Sequence, residues 1–171
     1  LHIPQGIELA NHGINILMEK PLAHNLDGSN ELLKAVETNN VVILMAYIFR
    51  FSPLTKKVKS LLDQKLIGKV LYVRGEFSEY LPDWHPYEDY RSFYMAEKSQ
   101  GGGSILDQSH IIDLVHYLFG GFKSVYAFNS KISDLELNAD DIAEMVVTLK
   151  NDIIASIHTD IFGRDHRKFL E

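Results

Sequence analysis

No cysteine occurs in the sequence, so disulfides, thiolate zinc sites and thiol nucleophiles are excluded. No apolar run approaches the ~18 residues that a membrane-spanning helix requires, so a membrane role is not expected. Positive charge is in deficit: 17 Lys and Arg stand against 23 Asp and Glu, for a net charge of −6. A broad nucleic-acid-binding surface is therefore not expected. Internal repeats and low-complexity segments are absent, as is a signal-peptide pattern, and a cytoplasmic location is the expectation. What is present is ordinary globular composition, with 46% hydrophobic and 23% charged residues among 171. That excludes disorder as the main state and suits roughly one domain. The chain opens on Leu1, and Arg167 to Glu171 reads as the middle of an alternating strand, so a piece of a longer protein is expected.

The hydrophobic pattern changes character near residue 46. Before it, a short helix over Pro4 to His12 stops at Gly13. Ile14 to Met18 reads as a strand buried on both faces. Asn25 or Asp27 caps a helix reaching about Thr38, with Leu32, Leu33 and Val36 as its buried stripe. Val41 to Ala46 is a second strand, and the spacing suits a parallel crossover. After Tyr47 come a helix opened by Ser52-Pro53, a strand over Val70 to Tyr80 and an aromatic-rich loop from Leu81 to Gln100. A single helix from Ser104 to Phe119 follows, then antiparallel strands over Ser124 to Ile132, Ile142 to Lys150 and Ile153 to Phe162. The fold class is thus α/β over 1–46 followed by α+β over 47–171, with a largely antiparallel open sheet and packed helices.

Three constellations could carry chemistry. Glu19-Lys20-Pro21 sits at the carboxyl end of a strand read as parallel, where open α/β sheets place ligands. The X-Pro bond there could be cis, and the plain alternative is an exposed lysine in a turn. Asp107, His110 and Asp113 recur every three residues along one helix side, amid Ile105, Leu106, Ile111, Ile112, Leu114 and Val115. A histidine flanked by carboxylates suits a general base for a hydroxyl proton; the alternative is a capped helix start with half-buried polar groups. No metal site is expected, because His116 is rotated well away from the side that His110 and Asp113 share. The third is the loop with Trp84, Tyr87, Tyr90, Arg91, Phe93 and Tyr94, whose ring faces and polar groups suit a polyhydroxylated ligand, or equally a subunit contact. Gly101 to Gly103 is not a G-x-G-x-x-G and reads as a flexible hinge that starts the catalytic helix at the site. His158, Asp160, Asp165 and His166 form a further polar cluster, read as a solvated or interface surface.

Four segments in register resemble one family. Gly13–Pro21 (GINILMEKP), Ala46–Pro53 (AYIFRFSP), Ile67-Gly68-Lys69 and Gly101–Gly120 (GGGSILDQSHIIDLVHYLFG) are similar to signature segments of the glucose-fructose oxidoreductase / inositol dehydrogenase (Gfo/Idh/MocA) family. The resemblance implies an NAD(P)-dependent oxidoreductase acting on sugars, cyclitols or nucleotide sugars. It implies that residues 1–46 are the last part of a dinucleotide-binding Rossmann domain. Residues 47–171 would then be a truncated substrate and oligomerisation domain. The family lysine corresponds to Lys20 and the family histidine to His110. The aspartate that members carry four residues before that histidine is displaced here, since position 106 is Leu and Asp107 lies three residues before His110. Asp113 corresponds to an acidic position after the histidine.

The expected site follows. Lys20, His110, Asp107 and Asp113 are catalytic: His110 takes the hydroxyl proton, Lys20 polarises the oxygen and relays the proton, and Asp107 or Asp113 orients His110. Glu19, Lys20, Pro21 and Arg50 contact NAD or NADP, and Tyr47, Trp84, Tyr90 and Arg91 contact a sugar-like substrate. The family's G-x-G-x-x-G loop is absent from this sequence, so the chain alone is expected to be inactive. A homo-oligomer through the C-terminal sheet is expected. The alternative is a non-catalytic sugar- or nucleotide-binding regulatory or oligomerisation module of the same fold.

Overall fold

A computed structural model describes residues 2–171, and contacts divide the chain after Tyr47 into two compact units. In the first, helix α1 (His2–Asn11) buries Ile3, Gly6 and Ala10, which are spaced along one side. Strands β1 (Ile16–Met18) and β2 (Ile43–Met45) pair in parallel, with Ile16 opposite Ile43 and Met18 opposite Met45. Helix α2 (Ser29–Thr38) is the crossover between them. Ala10, Ile16, Met18, Ala35 and Val41 form the core. The strand pair is covered on one face only: Leu17 alternates to the other face and is 73% exposed, against the expectation of burial on both. Two further expectations fail locally. Asn25 and Asp27 hydrogen-bond to each other at 2.8 Å, and α2 starts from Gly28 with no side-chain cap. Leu33 is exposed, because Leu32, Ala35 and Val36 already occupy the inward side at helical spacing.

The second unit is built on a five-stranded sheet. Its strands are β3 (Tyr72–Ser78), β4 (Phe122–Ser130), β5 (Ile142–Leu149), β6 (Ile154–Asp160) and β7 (Lys168–Leu170). The spatial order is β4-β5-β6-β3-β7, antiparallel throughout except that β3 and β6 run parallel. Helix α3 (Pro53–Asp63) starts at a proline in its first turn; its Val58, Leu61 and Leu62 are half-buried, while Leu54 is exposed. Helix α6 (Ser109–Phe119) is the main covering element. Its Ile111 and Val115 pack on Val73, Phe77, Val147, Leu149, Ala155 and Ile157. Burying that apolar surface is the chief favourable term holding helix and sheet together.

The helix expected over Ser104 to Phe119 is two: α5 (Ser104–Asp107) and α6, separated at Gln108. The cause is tertiary. Gln108 is fully buried, and its Nε2 donates to the Asp160 carbonyl at the end of β6, 2.7 Å away. The segment 81–100 holds a short helix α4 (Leu81–Trp84) and three single 3-10 turns, and its Leu81 and Met95 pack with Leu135 and Ile161. The glycine run is clamped rather than hinged. A Cβ on Gly102 would stand 2.4 Å from the Tyr94 carbonyl oxygen. Gly103, at φ +106, donates its N–H to Met95 O at 3.0 Å. Only glycine allows both the close approach and the left-handed backbone.

Candidate active site

In the first unit, Glu19-Lys20-Pro21 leaves β1 directly, and the Lys20-Pro21 peptide is cis. Glu19 is exposed, while Lys20 and Pro21 are half-buried. The Pro21 carbonyl accepts a hydrogen bond from His2 Nδ1 at 2.8 Å. Tyr47 follows β2 by two residues, its N–H donating to Met45 O at 2.8 Å. Because Met18 pairs with Met45, Lys20 and Tyr47 emerge from the same carboxyl edge of the parallel pair. A cation and a phenol are thereby set at the edge where such sheets bind ligands.

In the second unit, α6 carries His110, Asp113 and Tyr117 at i, i+3 and i+7, a single stripe. The turn Ile48–Phe51 lies along it. Phe49 packs its ring on the His110 imidazole, with centroids 4.6 Å apart and planes tilted by 42°. Arg50 grips Asp113 with two bonds, Nε to Oδ2 at 2.8 Å and Nη2 to Oδ1 at 2.5 Å. The same guanidinium lies 5.1 Å from the centre of the Tyr117 ring. Asp107, on α5, is buried and accepts a hydrogen bond from the Tyr94 hydroxyl at 2.5 Å. The start of α5 is held from outside: Asp140 Oδ2 accepts from Ser104 Oγ and the Ile105 N–H, at 2.9 and 3.1 Å.

The aromatic loop divides into struts and free faces. Arg91 bonds Asp89 and Glu136, and Tyr90 Oη accepts from the Glu136 N–H at 3.0 Å. These contacts tie the loop to the segment before β5. Arg91, donating first through its guanidinium and also through its backbone N–H, holds the Asp89 carboxyl below the usual carboxylate range. Trp84 and Tyr87 present exposed rings, with His85 packed edge-on to Tyr87 and Phe93.

A cavity of about 550 Å³ lies on the neighbouring stripe of α6, lined by Phe49, Leu54, Phe77, Ile111, Leu114 and Leu170 among others. Its walls are mainly apolar, with Ser52, Thr55, Glu76 and Lys168 the polar exceptions. Phe49 and Tyr117 escaped the reading of the sequence as site residues, and Tyr94, read there as one of the loop's ring faces, also bonds Asp107. Tyr117 was discoverable, since it lies four residues beyond Asp113 on one helix. Phe49 carries no local signal, because its partner is 61 positions away, and the bond of Tyr94 to Asp107 spans 13 positions. Chemically, the second unit offers an imidazole packed against the Phe49 ring, a side chain of the type used for proton transfer.

Comparison with known proteins shows what the chain is similar to. The protein-family model of the GFO/IDH/MocA C-terminal domain matches residues 55–170. A levoglucosan dehydrogenase from Pseudarthrobacter phenanthrenivorans is 33% identical over 129 residues, covering 74% of this chain and 32% of that protein. A trans-1,2-dihydrobenzene-1,2-diol dehydrogenase from Xenopus tropicalis is 36% identical over 111 residues, covering 64% of this chain and 31% of that protein. Among solved structures, a levoglucosan dehydrogenase in complex with NADH and levoglucosan superposes with a TM-score of 0.86 at 25% identity, over 99% of this chain and 47% of that one. The chain therefore spans less than half the length of these relatives.

Proposed function

Because the chain belongs to the GFO/IDH/MocA family, we propose that it is part of an NAD(P)-dependent oxidoreductase acting on a secondary alcohol of a sugar, cyclitol or nucleotide sugar. The observation that carries this reading is the stripe on α6, where His110 is held by the Phe49 ring within a chain matched to a sugar dehydrogenase. The residues present fit the nicotinamide end of such a cofactor: an ammonium and a phenol sit at the carboxyl edge of the parallel pair. Hydride acceptance is the chemistry that a bound nicotinamide supplies.

The chain's own residues do the rest. His110 takes the hydroxyl proton as the C–H bond breaks and the carbonyl forms, and returns it in the reverse direction. Lys20 donates a hydrogen bond to the reacting oxygen, favouring the alkoxide character that develops on oxidation. Asp107, fixed by Tyr94, keeps negative charge near the start of the histidine's helix. Trp84 and Tyr87 offer the sugar exposed ring faces, while Arg91 and Tyr90 hold that loop in shape.

Self-association through the outer face of the five-stranded sheet belongs to the same proposal. That face exposes Tyr72, Tyr126, Phe128, Val146 and Ile154.

The test is turnover of the full-length protein on a panel of sugars and cyclitols with NAD and NADP. In His110→Ala and Lys20→Ala, kcat is expected to fall on the order of 100-fold or more, the usual range for a lost general base. Activity unchanged in both variants sinks the assignment. Ligand binding without turnover on any substrate would favour the non-catalytic module instead.

A further inference from the structure

The turn Ile48–Phe51 contacts one stripe of α6 at three successive places. Phe49 meets His110, and the next residue, Arg50, meets Asp113 and Tyr117. The bonds to Asp113 are bidentate, the geometry that fixes a guanidinium in both position and plane. The Asp113 side chain is only 7% exposed, against 36% for Arg50. A buried carboxylate has a strong need for such a partner, since losing it leaves an uncompensated charge away from water. The Phe49 carbonyl also accepts the Ser52 N–H at 3.2 Å, and the Ser52 carbonyl accepts the Lys56 N–H at 3.0 Å in α3. The turn is therefore held at its far end as well. A short segment pinned at both ends, with Phe49 beside one pin, has little freedom to withdraw its ring from the imidazole.

We propose that the Arg50–Asp113 pair is a positioning brace: by locking the turn on α6 it holds the Phe49 ring against His110 and so sets the orientation of the imidazole. The inference rests on the reading of His110 as the proton acceptor. It assigns Arg50 a role distinct from cofactor contact and Asp113 a role distinct from direct contact with the histidine. Neither residue touches the reacting atoms. Each acts through Phe49. Such control matters because a general base must lie within hydrogen-bond reach of its proton, and small misplacements are costly.

The test uses the full-length protein with its best substrate and five variants: Arg50→Lys, Phe49→Leu, Phe49→Tyr, the double variant Arg50→Lys/Phe49→Leu and His110→Ala. Lysine keeps the charge but not the planar fork. Arg50→Lys and Phe49→Leu are each expected to lower kcat by about 10-fold with KM for substrate and cofactor unchanged. The double variant is expected to resemble the worse single, because both changes release the same ring. The ring resonances of His110, followed by NMR in histidine-labelled protein without ligands, are expected to shift in both single variants. Phe49→Tyr, which keeps the ring, should retain kcat. If His110→Ala leaves turnover intact, the parent reading fails. If His110→Ala abolishes turnover while Arg50→Lys changes neither kcat nor the His110 resonances, the brace fails alone. A raised KM for cofactor with unchanged kcat in Arg50→Lys overturns it too, in favour of a binding role for Arg50.

Discussion

The two faces of the five-stranded sheet are made by the same strands and answer opposite demands. The inner face is apolar: Val73, Phe77, Val147, Leu149, Ala155 and Ile157 lie under α6. On the outer face the register sets Phe128, Glu144, His158 and Glu76 side by side across four strands. Glu76 pairs in turn with Phe169 on β7. His158 lies between two carboxylates, with Nδ1 at 2.6 Å from Glu144 Oε1 and Nε2 at 2.7 Å from Asp160 Oδ2. One residue of register separates the two sets, since neighbours in a strand point to opposite faces. The contrast teaches where each kind of stability resides. Packing dominates inside, and charge is concentrated outside.

The largest expected effect comes from breaking the inner face. Leu149 is fully buried in the main cluster. Leu149→Ala should cost about 2–5 kcal/mol, read as a lower urea midpoint of the full-length protein with an unchanged slope. That is a large part of a typical stability of ~5–15 kcal/mol. A loss below ~1 kcal/mol would mean that the inner face can collapse around the gap, contrary to its dense packing.

The second prediction concerns the ionic row. The hydrogen bond to Asp160 raises the pKa of His158 to about 9, with Glu144 adding to it and burial opposing. Burial pushes the Asp160 carboxyl up, but His158, Ser78 and the N–H groups of Gly163 and Phe162 outweigh it and hold it low. His158 is bound to its proton more tightly when folded than when unfolded. Its contribution is therefore complete below its ordinary value of 6.5 and is lost as pH rises through about 9. Urea midpoints should fall more steeply between pH 7 and pH 10 in the unaltered protein than in His158→Gln. Parallel pH profiles would show that the row contributes nothing to folding.

What could be read from the sequence tracks the range of the interaction. The apolar runs at Ile16–Met18 and Ile43–Met45, and the spacing of Ile111, Val115 and Leu118, are local signals, and they yield strands and a helix with small shifts at the ends. The break at Gln108 was invisible because the helical pattern continues through it. Its cause is a carbonyl 52 residues away. The parallel pairing of β3 with β6 is likewise nonlocal. At the site, the stripe of His110 and Asp113 follows from their spacing. The partner of Asp113 lies 63 residues upstream, and no periodicity announces it. Arg91 attracted notice as a polar group among aromatics. Its ion pair with Glu136, 45 residues on, makes it a strut.

The smallest effect on folding should come from the outer face's apolar end, and it separates stability from association. Tyr126 is 81% exposed and pairs across the strands with Val146, also exposed. Changing such residues removes almost nothing from the packed core, so Tyr126→Ser should alter stability by no more than about 0.5 kcal/mol. Exposed aromatics at a contact between copies behave differently, because a central tyrosine can be worth ~2 kcal/mol or more of binding. If the outer face joins two copies of the chain, the Tyr126→Ser/Val146→Ser double variant should weaken self-association of the full-length protein at least ~10-fold. Sedimentation over a range of protein concentrations reads this directly. An assembly that withstands the double variant, or an unaltered protein that remains monomeric, would mean that the outer face is solvent-facing.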